Sequence, residues 1–401
     1  MNKNIEALYQ IAQKETKRII GLMSGTSLDG LDIALCEISG SGVNTNVKLV
    51  QFETISYSEE IKTEIRKIFA QKNIDFQHLA LLNEWIGLLH ASMVNETLEK
   101  WNIPASDIDL IASHGQTVLH APKFLHQQEK FPNATLQIGD GDHIAVKTGI
   151  ITLSDFRQKH VAAGGEGAPL AVYGDYFLFG KEGENRIMLN IGGIANFTYL
   201  PSAIKTEDTF VTDTGTGNTL IDLFVKKYFL DKSYDKDAEI AKQGNVNQIL
   251  LENLKDNAFF KKGFPKTIGQ ELFNAEYVEL ALSKSNLSDI LAPDLLATLT
   301  RFTAETIAEA IQFAVKNSSY KIEDFKIYLS GGGANNPLIV QWLKELLPCS
   351  FFKSDDLGIN SDAKEAILFA VLANETVAGG DFKFNSVKIP SVTMGKISFP
   401  D

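Results

Sequence analysis

The stretch Gly21-Leu-Met-Ser-Gly-Thr-Ser-Leu-Asp-Gly-Leu-Asp32 lies between two apolar runs, 18–23 and 31–38, which predict a pair of strands. The polar residues between the runs have unusual chemistry for a simple reversal. Glycines let a backbone approach an anion closely, and hydroxyl and free N–H groups donate to phosphate oxygens. Asp29 and Asp32 add carboxylates where a metal-bound phosphate would lie. We interpret this stretch as a nucleotide phosphate loop; the alternative is a polar hairpin turn.

The whole chain predicts a two-domain protein without a nucleic-acid or membrane partner. It has 401 residues, 44% hydrophobic and 22% charged, and a net charge of −12 disfavours nucleic acid and anionic membranes. No apolar run reaches the ~18 residues of a membrane span, and residues 1–18 lack the apolar block of a secretory signal. Two distant cysteines, Cys36 and Cys349, support neither a disulfide framework nor a zinc site. We expect a cytoplasmic protein.

Strands and helices alternate, which is typical of α/β proteins. The predicted strands are 17–23, 31–39, 47–57, 109–113, 135–139, 186–191, 194–200, 209–213 and 326–330. The predicted helices are 59–71, 76–101, 140–147, 217–230, 246–256, 270–283, 288–317, 335–347 and 362–378. Apolar residues at helical spacing make 288–317 a long core helix.

The order of parts repeats along the chain. Residues 19–38 and 186–200 both predict strand, glycine-containing reversal, strand. Residues 109–115 and 326–333 both predict an apolar strand that ends in a glycine turn. The repetition predicts a duplicated α/β domain with a cleft between the copies, and the glycine-rich segment 158–168 is the predicted hinge.

Common nucleotide signatures are missing from the sequence. It contains neither Gly-x4-Gly-Lys-Ser/Thr nor a complete Gly-x-Gly-x-x-Gly. A nucleotide site therefore needs three separate glycine turns: the first loop, 190–196 with Gly192 and Gly193, and 330–336. The last turn opens a predicted helix, whose N-terminus favours negative charge, and its glycines let a base or ribose approach. Taken singly, each turn has the alternative of being only a turn.

Asp213 ends a predicted strand and enters the glycine turn 214–218. A carboxylate at a strand end beside a cleft can accept a proton from water or a sugar hydroxyl. The alternative is a helix-capping role. His114, Gln116 and Arg157 also stand near predicted strand ends, where they could line a sugar pocket or act as structural turn residues.

These residues resemble the anhydro-N-acetylmuramic acid kinase family, in the superfamily of acetate and sugar kinases, Hsp70 and actin. The resemblance runs nearly end to end. It rests on 21–32, 113–117, 136–140, 155–157, 161–170, 189–196, 213–218, 234–239, 265–274, 330–337 and 390–393.

The resemblance implies two ribonuclease-H-like (actin-like ATPase) domains with an interdomain cleft. It implies an N-terminal lobe of 1–161 plus about 382–401, a C-terminal lobe of 162–381, and a homodimer. The implied cofactors are ATP and Mg²⁺ bound through the nucleotide, with no protein metal site. The implied nucleotide residues are Gly25, Thr26, Ser27, Leu28, Asp29, Gly30, Leu31, Asp32, Gly192, Gly193, Gly331, Gly332 and Gly333. Asp29 or Asp32 would orient waters on the magnesium ion.

The implied reaction converts 1,6-anhydro-N-acetylmuramate, ATP and water into N-acetylmuramate 6-phosphate and ADP, in cell-wall peptidoglycan recycling. Asp213 would be the catalytic base. The chain departs from the family pattern at 158–160, 215–218 and 266–271, which bears on sugar contacts more than on reaction class. Lys159 is a candidate for holding the lactyl carboxylate, and Glu365 for lining the pocket. The alternatives are a kinase for another anhydrosugar such as levoglucosan, a chaperone-like or filament-forming ATPase, and a glycoside hydrolase using Asp213.

Overall fold

The computed structural model describes residues 1–168, 170–203, 208–268, 272–287, 289–359, 362–380, 384 and 390–401. Its strands are β1 Thr16–Ser24, β2 Gly30–Ser39, β3 Asn46–Ser56, β4 Leu110–Ala121, β5 Ala134–Ile138, β6 Thr152–Ser154, β7 Asn185–Ile191, β8 Ile194–Leu200, β9 Phe210–Thr216, β10 Phe325–Ser330, β11 Ser350–Lys353 and β12 Lys396–Ser398. Its helices are α1 Lys3–Gln13, α2 Glu59–Arg66, α3 Phe76–Trp101, α4 Lys123–His126, α5 Gly141–Thr148, α6 Phe156–Ala162, α7 Ala171–Phe179, α8 Thr219–Tyr228, α9 Gln248–Lys255, α10 Ala275–Lys284, α11 Ala292–Lys316, α12 Pro337–Leu346 and α13 Lys364–Ala378.

The chain divides into two compact units, Met1–Phe179 with Asp362–Asp401, and Gly180–Ser361. The boundaries between these units differ from the predicted boundaries between the lobes, which lie at 161/162 and near 382. The difference arises because α13 packs on β1, β2 and β4, and α7 packs on α13. The predicted lobes and the cleft stay a prediction, and the point near 382 lies outside the described residues.

The first unit is built on a sheet with the order β12-β6-β4-β1-β2-β3, and β5 pairs with β4. β1, β2 and β3 are antiparallel neighbours, whereas β1, β4 and β6 run parallel. Alternate side chains of a strand point to opposite faces of the sheet. Ile20 and Leu22 therefore join the core that includes α3, while Gly21 faces α13, where a Cβ would lie 1.8 Å from the Ala366 carbonyl oxygen. That close approach requires glycine.

The second unit repeats this plan in a sheet with the order β11-β10-β7-β8-β9. β7, β8 and β9 are antiparallel, and β7, β10 and β11 are parallel. Both sheets therefore show three antiparallel strands followed by two parallel ones on the far side of the first strand, the order of a ribonuclease-H-like domain. The predicted duplication and α/β fold class are confirmed.

Long helices supply the core of each unit. α3 begins after its N-cap Asp75 and ends at Asn102, whose left-handed φ of 54° closes the last turn. α11 buries Leu295, Leu299 and Phe302 against the second sheet, as the apolar spacing predicts. Among the helices in the described ranges, none is long and apolar enough to cross a membrane.

Candidate active site

The first glycine loop, residues 25–29 between β1 and β2, stands on a buried hydrogen-bond chain. The Tyr57 hydroxyl donates to Ser24 Oγ at 2.9 Å, and Ser24 Oγ donates to Gln116 Oε1 at 2.5 Å. Gln116 Nε2 donates back to the Gly25 carbonyl at 3.1 Å. Because the Tyr57 hydroxyl donates its proton to Ser24, the Tyr57 oxygen accepts a hydrogen bond from His90 Nε2 at 2.7 Å. This chain of hydrogen bonds holds the loop in place on its buried side.

The outer side of the same loop is open to solvent. Leu28 has a left-handed φ of 61° and a buried side chain, which anchors the turn. Thr26, Ser27 and Asp29 are exposed, so their hydroxyl and carboxylate groups face outward. Ser27 Oγ donates to Asp29. The loop thus combines a rigid base with exposed polar groups.

Asp32, in β2, lies beside this loop. Its carboxylate accepts a 2.6 Å hydrogen bond from Thr54 Oγ1. Burial raises the pKa of Asp32, which Thr54 opposes and the charges of Asp29 and Asp362 reinforce. A cation or a metal-bound water near these carboxylates would relieve their repulsion.

Three glycines, one in each predicted nucleotide turn, are not needed by the fold. A Cβ on Gly25 would meet Ser27 Oγ at 3.5 Å; on Gly192 the nearest atom would be at 3.6 Å, and on Gly332 at 3.7 Å. These are ordinary contact distances, and none of the three glycines has a left-handed φ. Their bare Cα atoms therefore leave room for a ligand to approach the backbone closely.

The remaining glycines of the predicted nucleotide set are required by packing. A Cβ on Gly30 would lie 2.2 Å from the Ile55 carbonyl oxygen, and on Gly333 it would lie 2.3 Å from the Ile191 side chain. Gly193 would meet Thr219 Oγ1 at 2.9 Å, and Gly331 has a φ of +80°. Replacing these four glycines would therefore disturb the turns themselves.

The second and third turns lie together in the second unit. The Gly217 and Asn218 N–H groups donate to the carbonyls of Gly193 and Gly192 at 2.7 and 2.8 Å. Gly331 packs against the end of β7, where a Cβ would lie 2.7 Å from the Ile191 carbonyl oxygen. A cavity of about 600 Å³ opens beside them, and its lining includes Asn218, Asp222, Lys226, Tyr234, Gly332 and Asn336. Its size suits a nucleoside.

Asp213 lies within β9, so the predicted strand end at 213 is wrong. The strand continues to Thr216 because residues 210–216 pair with β8, with a register shift between Ala195 and Asn196. Helix α8 begins only at Thr219, so Asp213 does not cap it. The Ile268 N–H donates to Asp213 Oδ2 at 2.8 Å. Burial raises the pKa of Asp213 to about 6, and the Ile268 N–H opposes that rise. Such a group is mostly ionised at pH 7 and able to act as a base.

Arg157 and His114 form the centre of the predicted sugar side, in the first unit. Arg157 Nε donates to His114 Nε2 at 2.9 Å, and Nη1 donates to the Gly167 carbonyl at 2.8 Å. Burial and the Arg157 charge hold the pKa of His114 well below its usual range, so the ring is neutral. Burial lowers the pKa of Arg157 to about 10, which the Glu365 charge opposes, so the guanidinium group stays charged.

Glu365, in the first turn of α13, is near enough for its charge to act on Arg157. Desolvation raises the pKa of Glu365, and the charge of Arg157 opposes that rise. The Glu365 residue nevertheless remains exposed to solvent. Lys159 is exposed on α6. Positions two apart on a helix do not share a face, so Lys159 points away from Arg157. Gln116 is fully buried beneath the first loop, and its amide is used by Ser24 and Gly25. Contacts of Gln116 and Lys159 with a sugar stay predictions.

A second cavity, of about 420 Å³, lies next to His114 in the first unit. Its polar lining includes Asn83, Gln137, Asp140, Ser154, Asp155 and Lys396. Gln137, Asp140 and Asp155 lie in the segments 136–140 and 155–157, which carry part of the family resemblance, whereas Lys396, which pairs with Asp155, was missed. Tyr57, His90 and Ile268 were missed too. Only the fold reveals them: Tyr57 and His90 are buried and distant in sequence from the first loop, and Ile268 acts through its backbone N–H.

Sequence comparisons find relatives that match nearly the whole chain. A family model described as "Anhydro-N-acetylmuramic acid kinase" matches residues 17–393. The anhydro-N-acetylmuramic acid kinase of Pseudoalteromonas atlantica is 52% identical over 405 residues, which cover 100% of both chains. That of Pseudoalteromonas translucida is 49% identical, again over 100% of both chains. That of Caldanaerobacter subterraneus is 40% identical over 98% of this chain and 100% of its own.

Proposed function

Because the chain belongs to the anhydro-N-acetylmuramic acid kinase family, we propose that it couples two events on one sugar. It transfers the γ-phosphoryl group of ATP to 1,6-anhydro-N-acetylmuramate and hydrolyses the 1,6-anhydro bridge in the same turnover. The products are N-acetylmuramate 6-phosphate and ADP. The proposed setting is peptidoglycan recycling in the bacterial cytoplasm.

The open glycine positions carry the proposal. Gly25, Gly192 and Gly332 have room for a side chain that they do not carry; Gly332 is exposed, and Gly25 and Gly192 are half-buried next to exposed residues. Phosphoryl transfer needs positioning and charge stabilisation more than covalent help from the protein. Backbone N–H groups of the first two turns would hold the phosphates, and the 600 Å³ cavity beside Gly332 would hold the nucleoside. ATP supplies the phosphoryl group when bound.

Magnesium would enter with the nucleotide. Within the ranges that the structure describes, no group of three or more His, Cys, Asp or Glu side chains could hold a metal ion alone. Asp29 ends the first loop and Asp32 follows it in β2, and burial, together with the charge of Asp29, raises the pKa of Asp32. We infer that they orient waters of a magnesium ion that the phosphates bring.

Asp213 would direct the water. Its carboxylate removes a proton from water as the water oxygen bonds to the anomeric carbon. The bond from that carbon to the bridging oxygen breaks, and the bridging oxygen, now the 6-oxygen, takes the γ-phosphoryl group. The phosphoryl group itself neutralises the leaving oxygen, so the protein needs no separate general acid. Arg157 and Glu365, with neutral His114 behind them, would hold the sugar.

Mass spectrometry of the product from anhydro-N-acetylmuramate, ATP and oxygen-18 water tests the coupled reaction. The proposal predicts one label on the anomeric oxygen together with a 6-phosphate. A phosphorylated sugar with its bridge intact would contradict the coupling, and ring opening without ATP would indicate a hydrolase. Parallel assays with levoglucosan, which lacks the acetamido and lactyl groups, should show much lower kcat/KM. Higher kcat/KM on levoglucosan would assign the enzyme to another anhydrosugar.

A further inference from the structure

The segment 264–268 runs beside β9 and is fastened to it at Lys266. The Lys266 N–H donates to Thr212 Oγ1 at 3.1 Å, and the Asp213 N–H donates to the Lys266 carbonyl at 2.9 Å. Two residues further on, the Ile268 N–H reaches the carboxylate of Asp213 at 2.8 Å. The position of residue 266 therefore sets where the donor to Asp213 lies.

The side chain of Lys266 fixes that position from the other side. Only 8% of the residue is exposed, and Nζ donates to the Phe259 carbonyl at 3.2 Å. The ring centroids of Phe259, Phe260 and Phe264 lie 4.4, 5.8 and 5.1 Å from Nζ. Lysine is rarely buried to this extent without an anionic partner. Here a carbonyl and three ring faces hold the ammonium group, and cation–π attraction strengthens when the cation is desolvated.

We propose that Lys266 is a positioning residue for Asp213, whose caged ammonium group holds the segment 264–268 so that the Ile268 N–H orients the carboxylate. One carboxylate oxygen is then held, and the other is left to meet the attacking water. The inference rests on the proposed role of Asp213 as the base. It assigns to Lys266 an effect on catalysis that requires no contact with nucleotide or sugar.

The groups around this segment determine in which direction the pKa of Asp213 should change. The pKa of Asp213 is governed by burial and by the Ile268 N–H. Burial lowers the pKa of Lys266, and the charge of Lys262 lowers it further. Removing the Lys266 side chain frees the segment, which weakens the Ile268 hydrogen bond. Since that bond favours the ionised form, its loss raises the pKa of Asp213.

The kinetic test compares Lys266→Ala with Lys262→Ala, which changes an exposed lysine four residues earlier in the chain. For Lys266→Ala we expect kcat at pH 7 to fall ~10-fold, because general-base assistance is worth ~10²–10⁴-fold and is only partly lost. We expect the acidic limb of the kcat profile to move up by about one pH unit, with KM for ATP unchanged. Lys262→Ala should leave the limb within about 0.2 pH units of wild type. An unmoved limb in Lys266→Ala would overturn the proposal.

A second measurement separates this inference from the proposed function. The pKa of Asp213 can be read by NMR of protein labelled with carbon-13 aspartate, with Asp213→Asn identifying the signal. A higher pKa in Lys266→Ala supports the positioning role even if Asp213→Asn remains active, and an unchanged pKa refutes it even if Asp213→Asn is inactive. Should Lys266→Ala fail to fold, Lys266→Met keeps the packing of the cage and removes only its cation and donor. It should show the same direction of shift.

Discussion

Arg157 Nε lies 2.9 Å from His114 Nε2, so the guanidinium group holds a neutral imidazole ring in one tautomer. A second bond to the Gly167 carbonyl fixes the same guanidinium group. Lysine lacks the rigid planar fork from which two separate nitrogens direct these bonds, because its donors all lie on one ammonium nitrogen. The Arg157 charge therefore lies between the neutral His114 ring and the Glu365 carboxylate, which opposes the lowering of the Arg157 pKa by burial.

We expect Arg157→Lys to raise KM for the anhydrosugar ~10-fold or more while KM for ATP stays within about twofold, since a lost charged hydrogen bond is worth ~1.5–3 kcal/mol. Steady-state kinetics with each substrate varied in turn measure this. Lys159→Met is the matched variant, because Lys159 lies exposed two residues further along α6. A larger effect in Lys159→Met than in Arg157→Lys would assign the lactyl carboxylate to Lys159.

Gly25→Ala should separate ligand binding from folding. The fold has space for a Cβ there, so we expect the free energy of unfolding to change by less than ~0.5 kcal/mol. The added methyl group would fill the place of a phosphate, and KM for ATP should rise at least ~10-fold. Denaturant unfolding and steady-state kinetics give the two numbers.

Gly30→Ala is the contrasting variant. Its Cβ would meet the Ile55 carbonyl oxygen at 2.2 Å, so β2 and β3 must separate. We expect a loss of ~1–3 kcal/mol in the free energy of unfolding. Equal destabilisation by Gly25→Ala would show that Gly25 serves the fold rather than a ligand.

The repeated plan of the two sheets was predictable because its signals are local. Each first strand is apolar and is followed by a glycine reversal, and α3 is bounded by an N-cap Asp75 and a left-handed Asn102. The short strands β6, β11 and β12 were missed, since three or four residues show no periodicity. The helix α7 was missed because its sequence is apolar on nearly every face, as its buried residues show.

The site was predictable only where its chemistry is concentrated in sequence. The eight residues 25–32, which form the first loop and the start of β2, carry glycines, hydroxyls and carboxylates. The chain of Tyr57, His90 and Gln116 beneath it joins residues that are up to 92 positions from Ser24. The donor to Asp213 is a backbone N–H 55 positions away. Such contacts follow from the fold and leave no pattern in the sequence.

The acidic limb of kcat/KM should report Asp213. Its pKa is raised to about 6 by burial, and only the ionised carboxylate accepts a proton from water. We therefore expect kcat/KM to fall about tenfold per pH unit below pH ~6, and to be flat above that limb until another group titrates. A limb near pH 4 would place the base in an ordinary solvated carboxylate instead.

Asp213→Asn should make the folded protein more stable at alkaline pH. The carboxylate has a folded pKa of about 6 against an ordinary value of 3.8, so the folded state binds more protons and loses stability as the pH rises through that range. This difference in pKa between the folded and unfolded states corresponds to at most roughly 3 kcal/mol of unfolding free energy at pH 8. Denaturant unfolding should give the variant a higher free energy of unfolding than wild type at pH 8, and this difference should narrow towards pH 4.5. A margin independent of pH would contradict the burial of the charge.

In the proposed reaction, Asp213 activates water while the glycine turns hold ATP. The most direct measurement is ADP formation dependent on anhydro-N-acetylmuramate by Asp213→Asn, with nucleotide binding measured by calorimetry on the same preparation. We expect turnover at least ~100-fold below wild type and a nucleotide Kd within about threefold of wild type. Turnover within about threefold of wild type would contradict this role of Asp213.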